Sequence, residues 1–241
     1  MRAVEPEGQT MSQSLTITTP DGAFEAYVAT PAKTPAPALV VIQEIFGVNP
    51  GMRQICDELA ADGFLAVCPD LFWRFEPGLQ LSDHSEADWK KALDFYTRYD
   101  LDAGVRDIAA TITAARGLPE STGKVGVMGF CLGGLMTYLS AARTDLDAAV
   151  SYYGGSTETH LEEARKVHRP LMLHLAEEDE FITKDAQKSI RGALGGRPGV
   201  TIYSYPGRHH AFARPGGDHY DAADAATANG RTREFFTAHL S

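Results

Sequence analysis

The feature that most constrains the fold is a series of short apolar runs that alternate with stretches of helical character. Continuous apolar runs rich in β-branched residues are typical of strands buried on both faces. Strand and helix in alternation indicate β-α-β crossovers and a mainly parallel sheet. We therefore predict an α/β fold, with a doubly wound sheet and helices on both faces. The apolar runs occupy residues 38–42, 64–69, 124–130, 148–154, 170–176 and 200–206.

The N-terminal part differs, because two short β-type segments, 14–19 and 24–30, flank the turn-forming Pro20-Asp21-Gly22. This pattern predicts an antiparallel hairpin at a sheet edge. The polar residues 1–12 predict a flexible segment. A chain of 241 residues suits one domain with a large core, which we place at 13–241. Helices are predicted at residues 51–62, 85–116 (two helices), 132–143 and 220–240.

Charge and cysteine content restrict the possible partners. The net charge is −10 without a lysine or arginine run, which argues against nucleic acid or an anionic membrane. No stretch of about 18 apolar residues predicts a transmembrane helix, and the N-terminus lacks the apolar core of a signal peptide. Three widely spaced cysteines contain no C-x-x-C pair. We expect a cytoplasmic protein with free thiols, and neither a zinc site nor a dithiol redox pair.

A glycine-rich segment around one cysteine predicts a nucleophile. Gly129-Phe130-Cys131-Leu132-Gly133 follows a predicted strand and precedes a predicted helix, which is the setting of a nucleophile elbow. The helix N-terminus favours a thiolate at Cys131, and the N–H of Leu132 is placed to donate to an oxyanion. The alternative is a buried cysteine in a packing turn, which the strand–helix context disfavours.

An acid and a base follow the two later strands, in the chain order nucleophile, acid, histidine. Four consecutive acids, 177–180, come after one strand. Among them Asp179 fits a common G-x-D-x-x-[IV] acid loop, although Glu177 replaces the glycine. After the next strand, His209 and His210 compete for the role of base. A metal pair is a weaker alternative, because no third ligand has clear spacing.

Four motifs of this chain resemble those of the dienelactone hydrolase family within the α/β-hydrolase superfamily, over roughly residues 14–240. They are QEIFGVN at 43–49, CPDLFWR at 68–74, GFCLGG at 129–134 and HAFAR at 210–214. The resemblance implies a triad of Cys131, Asp179 and His210, and it decides for His210 over His209.

The resemblance also implies roles that spacing alone does not reveal. It implies that Glu44 takes the proton of the thiol, that the N–H of Ile45 joins the oxyanion hole, and that Arg74 and Arg214 bind a substrate carboxylate as guanidinium forks. The remaining expected pocket residues are Phe46, Trp73, Tyr152 and Tyr153. For the two tyrosines, packing at a strand end is an equal alternative. One departure from the family pattern is Ala211, which stands where the family has serine.

The implied activity is hydrolysis of an unsaturated lactone bearing a carboxylate, from dienelactone to maleylacetate, through a thioester. The family suggests a monomer that needs no cofactor. One alternative is a broader carboxylesterase or lactonase on the same scaffold, since a family does not fix the substrate. Another is a non-catalytic thiol sensor, which the complete triad order disfavours.

Overall fold

The computed structural model describes residues 11–241, and eight strands in this range form one mixed sheet. Their order across the sheet is β1-β2-β4-β3-β5-β6-β7-β8. The strands are β1 (Met11–Thr19), β2 (Gly22–Thr30), β3 (Ala36–Ile42), β4 (Leu65–Pro69), β5 (Ser121–Phe130), β6 (Ala148–Tyr152), β7 (Leu171–Ala176) and β8 (Val200–Tyr205).

Six of these strands, β3 to β8, pair in parallel. The hairpin of β1 and β2 lies at one edge, where β2 pairs antiparallel with β4. The predicted α/β fold with a mainly parallel sheet is therefore confirmed. The predicted flexible segment 1–12 lies outside the described residues except for 11 and 12. These two belong to β1, where Met11 is paired with Thr30.

Six α-helices connect the strands, together with a 3₁₀ helix at Thr157–Lys166. The α-helices are α1 (Pro50–Ala61), α2 (Glu86–Arg98), α3 (Leu101–Gly117), α4 (Leu132–Arg143), α5 (Lys184–Leu194) and α6 (Ala222–Leu240). Five begin at a side chain that accepts a hydrogen bond from an amide of the first turn, which satisfies an otherwise orphaned donor. These caps are Asn49, Ser85, Asp100, Thr183 and Asp221. Only α4 begins differently, at Cys131, whose side chain makes no capping bond.

The helices form two layers, one on each face of the sheet, and ion pairs join helices within each layer. Arg143 of α4 pairs with Asp102 of α3 at 2.6 Å, and Arg233 of α6 pairs with Asp62 at the end of α1 at 3.1 Å. The central strands between the layers are buried, and their parallel direction brings their carboxyl ends to one edge. The loops at that edge, after β3, β5, β7 and β8, form the candidate site. No helix within residues 11–241 combines the length and apolarity required to cross a bilayer.

Candidate active site

Cys131 lies on a sharp turn between β5 and α4, with a φ of 56°. This left-handed conformation is strained for a residue with a side chain. The turn also requires glycine on both sides. A Cβ on Gly129 would lie 2.2 Å from the carbonyl oxygen of Gly133, and a Cβ on Gly133 would lie 2.4 Å from that of Ile42. The close crossing leaves the thiol of Cys131 partly exposed at the N-terminus of α4.

His210 is held by Asp179, the third of the four acids after β7. The ring Nδ1 lies 2.9 and 3.1 Å from the two carboxylate oxygens of Asp179. That carboxylate also accepts hydrogen bonds from the amides of Phe181 and Ile182, so the loop fixes its direction. Both members of the pair are buried. The structure thus brings His210, and not the exposed His209, to Asp179.

The other ring nitrogen of His210 is directed to the nucleophile. Burial lowers the pKa of His210, but the charges of Cys131 and Asp179 raise it to about 10. Nε2 is buried and has no hydrogen-bond partner among residues 11–241, although Cys131 is close enough to raise the pKa of the ring. Loose catalytic hydrogen bonds are common in enzymes without substrate.

Two aromatic rings fix the position of the imidazole. Tyr153 and Phe181 each pack edge-on against His210, with centroid distances of 5.1 and 4.8 Å. Tyr153 is fully buried. It therefore supports His210 from behind, while Phe181 covers it from the solvent side, where its own side chain is 55% exposed.

A buried charge cluster lies beside the thiol. Glu44 follows β3, and its Oε2 accepts a hydrogen bond from Arg214 at 3.1 Å. Its Oε1 is buried and has no hydrogen-bond partner in the described part of the chain. The guanidinium of Arg214 also pairs with Asp83 at 3.2 Å and lies over the ring of Phe46 at 5.4 Å. Burial lowers the pKa of Arg214, but these two carboxylates raise it overall.

These groups meet in a cavity of about 350 Å³, a size typical of small-molecule sites. Seven of the predicted site residues line it, namely Glu44, Ile45, Phe46, Cys131, Leu132, His210 and Arg214. The amides of Gly134 and Leu135 both donate to the carbonyl of Cys131. The amide of Leu132 therefore precedes the hydrogen bonds of α4 and is directed toward the cavity end of the helix.

Two predicted pocket residues lie elsewhere, and the prediction for them is corrected. Arg74 does not line the cavity. Its guanidinium binds the buried carboxylate of Asp107 in α3, and it contacts Asp21 at 2.8 Å. Trp73 donates from Nε1 to the same Asp107 at 3.0 Å and stacks on Phe24. Both side chains therefore bind the buried carboxylate of Asp107 and do not reach the cavity.

For the two tyrosines at the end of β6, pocket lining and packing were equal alternatives, and the two side chains lie differently. Tyr152 points away from the cavity, and its hydroxyl bonds to Asn229 and Thr232 of α6. Tyr153 follows the end of β6 with a positive φ of 36°, and its ring lies 6.0 Å from that of Tyr152, on the side of the catalytic histidine. There it packs behind His210 and lines a smaller adjoining cavity with Glu44 and Arg214. Packing is therefore the observed role of Tyr152.

One wall of the cavity was not predicted from the sequence. Trp89, Leu93 and Tyr96 of α2 all line it. Their spacing of i, i+4 and i+7 places them on one helix face. That spacing was a readable signal, although it does not distinguish a pocket wall from a core-facing helix. Asp83 and Phe181 also line the cavity from loops, where no periodicity identifies them.

The alternative in which His209 and His210 bind a metal ion has no further ligands to support it among residues 11–241. His209 lies against His219 with ring centroids 5.0 Å apart. Within residues 11–241 no group of three or more histidine, cysteine or acidic side chains is arranged to hold a metal ion.

The sequence is similar to one known protein family and to several of its members. A profile of the dienelactone hydrolase family matches residues 24–240. A putative carboxymethylenebutenolidase of Azospirillum brasilense is 46% identical over 224 residues, covering 91% of this chain and 95% of the relative. A carboxymethylenebutenolidase of Pseudomonas putida is 39% identical, covering 93% and 96%.

Solved structures agree with the sequence comparison. The crystal structure of a putative dienelactone hydrolase from Klebsiella pneumoniae is 26% identical, with a TM-score of 0.81, and covers 95% of this chain and 99% of that chain. A dienelactone hydrolase-like promiscuous phosphotriesterase from metagenomic libraries has the same TM-score at 22% identity, over 96% and 99%. The second similarity concerns the fold alone.

Proposed function

This chain belongs to the dienelactone hydrolase family, and from that premise we propose that it opens a carboxylate-bearing unsaturated lactone, converting a dienelactone to maleylacetate. The chain is a carboxylic ester hydrolase of the carboxymethylenebutenolidase type. The observation that carries the finer proposal is the placement of Cys131 on a strained elbow beside a histidine that Asp179 holds at 2.9 Å. That arrangement suits covalent catalysis by a thiolate.

In the first half-reaction the Cys131 thiolate attacks the lactone carbonyl. Glu44 receives the thiol proton when a substrate carboxylate takes its place on Arg214, because its partnerless Oε1 lies beside the cavity. The amides of Ile45 and Leu132 hold the oxyanion, a contribution of about 3 kcal/mol per donor. The ring oxygen then departs as an enolate, which takes up the proton held by Glu44, and a thioester remains on Cys131.

In the second half-reaction His210 acts as the general base. Acylation removes the charge of Cys131, which is one of the causes that raise the pKa of His210. The remaining burial favours the neutral ring. His210, oriented by Asp179, is then able to take a proton from water, and the hydroxide releases the acid and restores the thiol.

The nucleophile restricts the leaving group. A thiolate is a better leaving group than an alkoxide or an amine, so the tetrahedral intermediate of an alkyl ester or peptide returns to substrate. An enolate competes well with the thiolate and leaves forward. We therefore expect slow hydrolysis of alkyl esters and peptides, and fast turnover of a long-chain alkyl ester would contradict this mechanism.

Steady-state kinetics test the proposal directly. A dienelactone with a free carboxylate is compared with p-nitrophenyl acetate, for wild type and for Cys131→Ala. Preference for the lactone and loss of both activities in the variant support the proposal. Equal turnover of both esters indicates the broader carboxylesterase. Absence of hydrolysis of either ester indicates the thiol sensor. A cytoplasmic location and a monomeric state stay predictions, and size-exclusion chromatography tests the second.

A further inference from the structure

Two large apolar side chains are exposed at the mouth of the catalytic cavity. Leu93 of α2 is 45% exposed and Phe181 after β7 is 55% exposed. Such exposure is uncommon in the described residues, where Tyr220 is the only other large apolar side chain in the exposed class. Leu93 and Phe181 come from different elements yet line the same cavity as Cys131. Exposed apolar surface at a binding cavity is a common mark of a ligand contact.

The wall behind them is aromatic and firmly anchored. Trp89 packs edge-on against Phe46, with centroids 5.0 Å apart, and its Nε1 donates to the carbonyl of Asp83 at 2.7 Å. The hydroxyl of Tyr96 lies 3.4 Å from that of Ser156. We call Trp89, Leu93, Tyr96 and Phe181 the apolar rim. Because its aromatic members are fixed by neighbours, the surface is formed before a ligand arrives.

The charged residues that line the same cavity limit the number of anionic groups that a ligand carries to one. Among residues 11–241, Arg214 is the only lysine or arginine that lines it, and Glu44 and Asp83 already contact its guanidinium at 3.1 and 3.2 Å. Glu180 and Asp218 line the cavity as well. One substrate carboxylate is able to displace Glu44 at Arg214. A second anionic group would face carboxylates, since the other predicted cation, Arg74, binds Asp107.

We infer that the apolar rim selects the substrate, which is a lactone with a single carboxylate and an alkyl or aryl substituent on its ring. This inference rests on the proposed function. The carboxylate lies at Arg214, and the substituent covers Leu93 and Phe181. An unsubstituted dienelactone leaves both side chains in water and so gives up part of the binding energy.

The expected size of the preference follows from apolar burial. A matched apolar group in such a pocket raises kcat/KM by about 10-fold or more. The test measures kcat/KM for an unsubstituted dienelactone and for its ring-methyl and ring-phenyl derivatives. Wild type is expected to prefer the phenyl compound by about 10-fold or more over the unsubstituted compound, with the methyl compound between them.

Two variants of α2 show whether the rim causes that preference. Leu93→Ala is expected to reduce the phenyl-to-unsubstituted ratio about 5-fold, and Leu93→Asp to reduce it further, because a carboxylate is placed against the substituent. Lys90→Ala is the matched control, since Lys90 is exposed on the same helix and does not line the cavity. Its ratio is expected to equal that of wild type.

The outcomes separate the two proposals. Wild type that hydrolyses the unsubstituted lactone as fast as the phenyl compound overturns the rim as selector and leaves the proposed lactonase activity intact. A preference that survives in Leu93→Asp also overturns it. If wild type hydrolyses none of the three lactones, the proposed function and the inference fall together.

Discussion

Arg74 and Arg214 have similar surroundings but lie in different parts of the molecule. Each follows a strand of the sheet, and each guanidinium contacts two carboxylates, Asp107 and Asp21 for Arg74 and Glu44 and Asp83 for Arg214. Their side chains are 30% and 20% exposed. Only Arg214 lines the cavity. A paired arginine after a strand is therefore not by itself a sign of a substrate site.

The carboxylates that the two arginines contact explain why only one arginine serves the cavity. Asp107 accepts from both nitrogens of Arg74 and from Trp73, so its cluster is complete. The partner of Arg214, Glu44, keeps one buried oxygen without a hydrogen bond in the described residues. Buried polar atoms in folded proteins are nearly always satisfied, and a partnerless carboxylate oxygen beside the cavity is explained by a role toward the substrate. We expect changes at the cavity to reduce activity, and changes around Arg74 to reduce stability.

The largest effect is expected for Cys131→Ala. Loss of a nucleophile that acts with its base lowers kcat by about 10⁴-fold or more, because the oxyanion donors and the base remain without a group to acylate. The fold should be preserved, since Cys131 is partly exposed and caps no helix with its side chain. Lactone hydrolysis and thermal unfolding measure both quantities. A variant that keeps a tenth of the activity contradicts the assignment of the nucleophile.

The next prediction concerns the pKa of His210, which lies in the cavity and not in the region around Arg74. Burial lowers this pKa, but the charges of Cys131 and Asp179 raise it to about 10. In Cys131→Ala one cause is lost while burial persists, and the pKa should fall to near or below its ordinary value of about 6.5. NMR titration of the His210 ring measures it. An unchanged pKa in the variant would show that the thiol does not act on the ring.

The sheet and the positions of Cys131 and His210 after their strands were predictable from the sequence, because both depend on local patterns. Apolar runs identified β3 to β8, and the G-x-C-x-G pattern located Cys131 between a strand and a helix. The motif resemblance also chose His210 over His209, which is the histidine that Asp179 contacts. The catalytic roles of these residues stay predictions.

Side-chain direction in loops was less predictable. Arg74 follows β4 at the correct sheet edge, but a buried acid thirty-three residues later in the chain draws it away. Nothing in the local sequence reveals that partner. For the same reason the α2 wall was missed, since its helical spacing is equally consistent with core packing.

A smaller effect is expected at Arg214, where Arg214→Lys keeps the positive charge beside Glu44 and removes the planar fork. A lysine contacts a carboxylate as a point charge, so kcat/KM for the carboxylate-bearing lactone should fall about 30-fold. Hydrolysis of p-nitrophenyl acetate, which has no carboxylate, should change by less than about 3-fold if only uniform binding to the carboxylate is lost. An equal loss on both substrates would place Arg214 in support of the fold rather than of the substrate.

The smallest effect on activity is expected at Arg74. Arg74→Met leaves the buried carboxylate of Asp107 with Trp73 as its remaining side-chain donor, and the free energy of unfolding should decrease by about 2 kcal/mol. The matched control is Arg106→Met, because Arg106 contacts Asp21 only at 3.7 Å and is 61% exposed. Exposed pairs contribute about 0–1 kcal/mol, so denaturant unfolding should separate the two variants. The activity of folded Arg74→Met on the carboxylate-bearing lactone should stay within about 2-fold of wild type, since its guanidinium does not reach the cavity. A selective rise in KM for that lactone, as in Arg214→Lys, would return Arg74 to the substrate site and remove the difference between the two arginines.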